Sequence, residues 1–372
     1  MALYNTRNLY VDFLRGVSII LVLLLHFALA YHLSDSILGT IFSKKIISSI
    51  VSNGNYGVTM FFVISGFLIT SKSVERYKVL GNVNALSFYL MRFARIVPSL
   101  LLVLVILVLL SFTPMDIFHN SPSKNVSMFT TVLSVLTFWH NVLMAKVGYF
   151  NYCINIFWSL SVEEVFYFTF PILCLIFRKE KFIIPVWILF IILAPIYRSF
   201  HTDDEIIALY GYWSCFDGIA LGCCAALFAK KYKIEGMKGK FLSLFSIALI
   251  AITYFYSGIM DNVVYGVSLV GLGTALLLIQ TYNKHASPLF SKNILTRIIC
   301  WFGKCSYELY LFHIVILALM KTIVSREQLG QYSKVLWLLA FLIISALLAE
   351  VISSYYSEPL NKRLRKLYSP AT

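Results

Sequence analysis

The sequence has 372 residues, of which 59% are hydrophobic and 13% charged, and its formal net charge is +14. Its mean hydropathy of +0.81 lies far above that of water-soluble domains, which excludes a soluble globular protein. The basic residues fall in short clusters between apolar runs, as in the cytoplasmic loops of membrane proteins, so the charge does not predict nucleic-acid binding.

Apolar runs long enough to cross a bilayer recur along the whole chain. A hydrocarbon core of about 30 Å takes about 20 residues per helix. The runs predict ten helices, near residues 11–31, 56–72, 96–112, 156–177, 182–197, 206–229, 241–257, 262–281, 306–322 and 335–357. They predict an all-α, polytopic membrane bundle that forms one domain over residues 1–372.

The distribution of charge predicts the orientation of this bundle. Most Lys and Arg lie in the segments 76–95, 178–181, 230–240, 284–297 and 362–366. An even number of helices places these segments on one side together with both termini, and the positive-inside rule makes that side the cytoplasm. A further apolar stretch at residues 128–144 would break this parity if it crossed the membrane, so we expect a re-entrant or interfacial segment there.

The first predicted helix carries three ionisable residues, Asp12, Arg15 and His26. Such groups are costly inside a membrane and therefore indicate functional or paired positions. Arg15 and His26 share one helix face and are separated by about 16 Å along the axis. Asp12, one turn before Arg15, could orient its guanidinium group. The alternative is an arginine that anchors the helix end and a histidine bonded to a backbone carbonyl.

The third predicted helix has an arginine pair, Arg92 and Arg95, placed by its predicted bounds at the cytoplasmic start. Two guanidinium groups one turn apart can bind phosphate bidentately. The alternative interpretation is ordinary positive-inside charge. The sequence of the pair does not distinguish between these two interpretations.

The fourth predicted helix begins with a polar cluster, whose members are Trp158, Ser159, Ser161, Glu163, Glu164 and Tyr167. Successive helical residues point about 100° apart, so only one of the two glutamates is expected to face the bundle interior. That carboxylate could orient His26 or accept a proton from a hydroxyl group. Alternatively, the carboxylates and Trp158 lie in the headgroup region.

The ninth predicted helix begins with Ser306, Tyr307 and Glu308, and His313 lies deeper in it. On its own, His313 is more typical of a hydrogen-bonded interior histidine than of a catalyst. Asp217 and Glu350 are expected to pair with basic residues of neighbouring helices. The seven cysteines have no C-x-x-C spacing, so neither a disulfide framework nor a metal site is expected.

Taken in order, these segments resemble the membrane-bound acyltransferase family 3, which acylates surface polysaccharides and lipid-linked sugars in bacteria. The matching features are D-F-L-R-G with the Arg15 to His26 spacing, G-V-x-x-F-F-V-I-S-G-F-L-I-T from Gly57, the R-x-x-R pair, W-S-L-S-V-E-E-x-F-Y from Trp158, S-Y-x-L-Y-L-x-H from Ser306, and the closing Glu358-Pro359. The features extend over most of the chain.

The resemblance implies that His26 is catalytic and makes Glu163 the functional carboxylate of its pair. It implies that Arg15, Arg92 and Arg95 bind the phosphates of acyl-CoA, with acetyl-CoA as the expected co-substrate and no metal. We further expect supporting roles for Asp12, Trp158, Ser306 and His313. The chain would be a stand-alone form without an SGNH domain, situated in the bacterial inner membrane among its lipids.

The expected reaction moves an acyl group from cytoplasmic acyl-CoA to a hydroxyl of a cell-surface or lipid-linked glycan, such as lipopolysaccharide. His26 would act as general base or would itself be acylated first, and the sequence leaves both routes open. The main alternative is a transporter or flippase that uses the same intramembrane His, Glu and Arg residues. A structural or sensory scaffold is a third possibility.

Overall fold

The computed structural model describes residues 8–282 and 293–368, and every regular element within these ranges is a helix. Ten helices among these residues are long and apolar enough to cross a membrane, which confirms the predicted all-α polytopic bundle. They are α1 (Leu9–Tyr31), α2 (Tyr56–Tyr77), α3 (Ala85–Leu110), α4 (Trp158–Phe177), α5 (Glu180–Ser199), α6 (Tyr212–Lys231), α7 (Gly236–Tyr256), α8 (Val263–Thr281), α9 (Ser306–Ile323) and α10 (Gln331–Ile352).

Shorter helical segments join or extend these ten helices. They are Leu33–Asp35, Ile37–Ile41, Lys44–Ser52, Leu80–Asn82, Asp116–Phe118, Pro122–Lys124, Met128–Leu136, His140–Val147, Asn155–Phe157, Glu205–Tyr210, Ile294–Lys304, Arg326–Gln328, Ser353–Ser357 and Glu358–Tyr368. The segment Ser353–Ser357 is a π-helical turn that connects α10 to the terminal helix Glu358–Tyr368. This terminal helix packs back along α3.

The apolar stretch at residues 128–144 does not form a membrane-length helix. It folds into Met128–Leu136 and His140–Val147, which pack against α4, and the break includes Phe138 with a φ of 60°. His140 is buried and its Nδ1 lies 2.8 Å from the hydroxyl of Ser134. Burial lowers the pKa of His140 to about 3, so this ring is neutral at physiological pH.

The third helix differs most from its predicted bounds of 96–112. It begins eleven residues earlier, at Ala85, because the side chain of Asn84 accepts a hydrogen bond from the backbone N–H of Ser87 and caps the helix there. Arg92 and Arg95 therefore lie about two and three turns inside α3, and the prediction that they lie at its start is wrong. The predicted helix 206–229 is also broken, at Gly211 between Glu205–Tyr210 and α6.

The basic loops gather at one end of the bundle, as the parity of the helices predicts. Lys230, at the end of α6, has its Nζ 3.4 Å from the backbone oxygen of Lys78 and 3.4 Å from Glu180 Oε1. Residues 283–292, which include most of the basic segment 284–297, lie outside the described ranges. At the opposite end, a hydrogen bond from Lys44 holds the pKa of Asp35 below its usual value.

Glycines bring the backbones of neighbouring helices into contact around the bundle interior. A Cβ atom at Gly66 of α2 would lie 1.9 Å from the backbone oxygen of Ile219, and one at Gly222 of α6 would lie 2.0 Å from that of Val63. Only glycine permits this approach. The close contact fixes the rotation of α2 and so sets the direction of Ser65, the residue before Gly66.

Candidate active site

A cavity of about 110 Å³ lies between α1, α2, α3, α4 and α9, and its walls carry several of the polar residues that the sequence singles out. Arg15, Arg92 and Arg95 all line it, so the structure brings the three predicted phosphate-binding residues together. The other lining residues are Val58, Phe61, Phe62, Ile64, Ser65, Leu68, Ile96, Ser159, Leu160, Glu163, Tyr167, Ser306, Tyr307, Tyr310 and Leu311.

Arg15 is positioned by the first residue of α9. Its Nε donates a hydrogen bond to the hydroxyl of Ser306 at 3.1 Å. The two helices meet there because the helix Ile294–Lys304 packs backbone to backbone on α1, and a Cβ at Gly303 would lie 1.8 Å from the backbone oxygen of Asp12. Asp12 is buried at this contact, one turn before Arg15. Its expected role in orienting Arg15 stays a prediction.

Arg92 stacks on an aromatic ring inside the cavity. Its Cζ lies 3.4 Å from the centroid of the Tyr167 ring, which is cation–π geometry. The Nε of Arg92 is buried without a hydrogen-bond partner. A buried N–H group without an acceptor is costly, so this donor suits an anionic ligand. Arg95 follows one turn later on α3 and lines the same cavity.

Glu163 forms the polar centre of the cavity. Its Oε1 accepts a hydrogen bond from Ser65 at 2.5 Å and a second one from the hydroxyl of Tyr167, and these two hydroxyls also contact each other. The neighbouring Glu164 does not line the cavity, and its Oε1 is buried without a hydrogen-bond partner. Of the two adjacent carboxylates, Glu163 is thus the one that reaches the arginine-lined space.

Tyr310 of α9 forms part of the cavity wall. Its hydroxyl lies 2.6 Å from the hydroxyl of Ser159 and donates to the backbone oxygen of Ile156 at 2.7 Å. The same side chain faces a histidine, since the ring centroids of Tyr310 and His313 are 6.1 Å apart. Tyr310 therefore connects the arginine-lined cavity to the histidines behind it.

His26 lies behind this wall and does not itself line the cavity. The side chain is half-buried, and its Nδ1 is 2.9 Å from the backbone oxygen of Val22 and 3.3 Å from His313 Nε2. The two imidazole rings meet edge to face with centroids 4.9 Å apart. The structure thus places His313 against His26, whereas Glu163 contacts Ser65 and Tyr167.

Trp158 lies beside the arginine-lined cavity and not in it. Its ring stacks on Tyr210 with a centroid distance of 4.2 Å and meets Phe62 edge to face at 6.0 Å. Trp158 lines a second, smaller cavity together with Asp217, and Phe62 lines both cavities. Val58 also lines both cavities, so Val58 and Phe62 lie between the two spaces.

Some residues of this region had no assigned role in the sequence analysis. Ser65 is one of them. It lies in the glycine-containing segment of α2 that matches the family pattern, and helix packing is enough to explain the glycines of that segment. Arg365 interacts electrostatically with Arg95 and with Arg76. No sequence spacing could have shown this, because it arises when the terminal helix folds back along α3.

Comparisons with known proteins agree on one class of protein. A family model described as an acyltransferase domain matches residues 8–355. The O-acetyltransferase OatA of Staphylococcus aureus strain NCTC 8325 is 27% identical over 340 residues, which cover 86% of this chain and 54% of that protein. The peptidoglycan O-acetyltransferase OatA of Listeria monocytogenes is 25% identical over 369 residues, which cover 95% of this chain and 55% of that protein.

The chain therefore spans about half the length of the curated relatives that it matches. No solved structure matches the chain. The match to the family model extends over α1 to α10, so it includes every residue of the cavity and both histidines behind it.

Proposed function

Because the chain belongs to the membrane-bound acyltransferase family 3, we propose that it transfers an acyl group, acetyl by preference, from acyl-CoA to a hydroxyl of a glycan. One observation carries the proposal. Three guanidinium groups and Glu163 share a single cavity, and Tyr310 in its wall adjoins the pair of His26 and His313. A donor-binding region and a candidate base are thus neighbours.

The donor is proposed to bind through its phosphates at Arg15, Arg92 and Arg95. The unpartnered Nε of Arg92 supports this assignment, since a phosphate oxygen would satisfy it. Arg365 adds positive charge near Arg95, which suits a ligand with several phosphate charges. Coenzyme A supplies the acyl group as a thioester, and the arginine residues fix its anionic end at the basic face of the bundle.

His26 is proposed as the general base of the transfer. Its imidazole takes the proton of the acceptor hydroxyl while the hydroxyl oxygen forms a bond to the acyl carbon. The carbon–sulfur bond then breaks, and His26 returns the proton to the leaving thiolate. Glu163, held by Ser65 and Tyr167, lies next to Arg92 and orders this side of the cavity.

The acceptor is proposed to be a cell-surface or lipid-linked glycan. The name of the Listeria relative specifies peptidoglycan, and the resemblance extends the class to other envelope polysaccharides, including lipopolysaccharide. The protein is proposed to lie in the bacterial inner membrane with both termini in the cytoplasm, where acyl-CoA is available. The grouping of three arginines around one cavity favours this function over a transporter.

The test is acetyl-CoA turnover by reconstituted protein together with mass spectrometry of glycans from expressing cells. His26→Ala should lower acetyl transfer by about 100-fold or more, because a general base contributes a factor of this size. Binding of acetyl-CoA should stay within about threefold, because the arginines are untouched. The matched control is His32→Ala, a half-exposed histidine just beyond the end of α1.

Full acetyl transfer by His26→Ala would contradict the proposed role of His26. Absence of any acetyl transfer in the parent protein, combined with movement of a glycan or an ion across the vesicle membrane, would favour the transporter instead. Equal losses in His26→Ala and His32→Ala would also count against the proposal, because they would indicate a general effect of removing a histidine.

A further inference from the structure

His26 and His313, which face each other, make the same local contact. Each Nδ1 lies 2.9 Å from the backbone oxygen of the residue four positions earlier, Val22 for His26 and Leu309 for His313. A carbonyl oxygen only accepts hydrogen bonds. The proton of each neutral imidazole must therefore be on Nδ1, which leaves Nε2 as an acceptor in both rings.

This assignment determines the direction of the contact between the rings. His313 Nε2 has no proton, so at 3.3 Å it accepts a hydrogen bond from His26 Nδ1–H. The backbone oxygen of Val22 accepts from the same N–H group. His313 is fully buried, and its own Nδ1 is committed to Leu309. The ring of His313 is thus fixed in place, with its lone pair pointing at the proton of His26.

We propose that His313 is a positioning residue for the transfer reaction, which acts together with the carbonyl of Val22 to hold His26 in the tautomer with a free Nε2 lone pair. The inference rests on the proposed role of His26 as general base. Two carbonyl contacts and one ring-to-ring contact carry it. His313 performs for His26 the orienting task that a carboxylate performs in other histidine-based active sites.

The contact gains strength during the reaction. When His26 Nε2 takes the proton of the acceptor hydroxyl, His26 becomes a cation. The hydrogen bond from its Nδ1–H to His313 then has a charged donor, and such bonds are about twice as strong as neutral ones. An interaction that strengthens as the charge develops stabilises the transition state more than the ground state, and so it raises kcat.

Two substitutions at His313 distinguish the effect of its hydrogen-bond acceptor from the effect of its size. In His313→Gln, the side-chain oxygen takes the place of Nε2 and can still accept from His26. In His313→Asn, the shorter side chain can reach only the Nδ1 position and the carbonyl of Leu309. We expect Gln to retain kcat within about tenfold and Asn to lose about 100-fold, with the KM for acetyl-CoA changed less than about threefold in both.

The inference is overturned if His313→Asn keeps its kcat within about twofold of the parent, or if Gln is no better than Asn. A rise in KM equal to the fall in kcat would also overturn it, because that pattern places His313 in donor binding. The thermal melting of each variant is measured alongside, so that loss of folded protein is not counted as loss of kcat.

A second measurement needs no variant and no turnover. Nitrogen-15 NMR of histidine-labelled protein in lipid distinguishes a protonated from an unprotonated ring nitrogen, with His26→Gln used to assign the His26 signals. We expect His26 to carry its proton on Nδ1. A proton on Nε2 would overturn the inference even if His26→Ala were inactive. The inference about the tautomer can therefore fail while the proposed function stands.

Discussion

At the scale of single residues, Arg92 shows why the type of cation matters at this site. Its planar guanidinium lies over the ring of Tyr167, and Tyr167 in turn donates to Glu163. A guanidinium can stack on a ring and still direct N–H groups at a phosphate, whereas an ammonium group is a point charge on a flexible stem. The stacking therefore holds Arg92 in the orientation that leaves its buried Nε free of a protein acceptor.

Arg92→Lys should raise the KM for acetyl-CoA by about tenfold and change kcat much less, because the charge stays while the stacking and the bidentate geometry are lost. Steady-state kinetics of the reconstituted protein measure this. Arg326→Lys, at an exposed arginine of the loop after α9, is the matched control and should leave both constants unchanged. An unchanged KM in Arg92→Lys would remove Arg92 from the donor site.

At the scale of helices, a buried ion pair connects three of them. Arg198 of α5 is 0% exposed and Asp217 of α6 is 1% exposed, and their N and O atoms lie 2.8 Å apart. Ser268 of α8 donates to the same oxygen of Asp217 at 2.6 Å. The sequence predicts that Asp217 pairs with a basic residue of another helix, and this is confirmed. Glu350 likewise pairs with Lys304, at 3.2 Å.

Asp217→Ala should destabilise the bundle by about 3–5 kcal/mol, because it leaves the buried charge of Arg198 without its partner. The double variant Arg198→Met with Asp217→Leu should recover part of this loss, since it removes both charges and fills the space. Thermal melting in detergent gives the melting temperatures of the parent, Asp217→Ala and the double variant. If the double variant melts below Asp217→Ala, the pair does not stabilise the bundle in this way.

At the scale of the whole molecule, the bundle has one basic and one more acidic end. The contacts of Lys230 with Lys78 and Glu180 join the ends of α2 and α6 to the start of α5. The terminal helix Glu358–Tyr368 lies along α3, whose first residues belong to this same end. The segment Pro122–Lys124 follows the opposite end of α3. The basic end is therefore the one proposed to face cytoplasmic acyl-CoA.

Cysteine labelling tests this orientation in intact cells. A membrane-impermeant maleimide should label Ser123→Cys but not Lys366→Cys until the cells are opened, because the two exposed positions lie at opposite ends of the bundle. The parent protein is the control, since six of its seven native cysteines are buried. Labelling of Lys366→Cys in intact cells would reverse the proposed orientation and place the arginine residues outside.

The sequence by itself determined the class of the protein and most of its polar site residues. Helix number followed from the length of apolar runs, which is a local property set by bilayer thickness. Arg15 and His26 were recognisable because ionisable groups are costly inside a membrane. The one-turn spacing of Arg92 and Arg95 singled out that pair, and the family resemblance selected Glu163 over Glu164.

Only the tertiary structure decided which of these side chains meet. The partner of Arg15 is Ser306, 291 positions away, and it is reached because Gly303 lets two backbones touch. The residue against His26 is His313, 287 positions away, and not Glu163. Such pairings depend on the rotation and close approach of whole helices, and these are set by packing against several neighbours at once, which no local pattern of residues records.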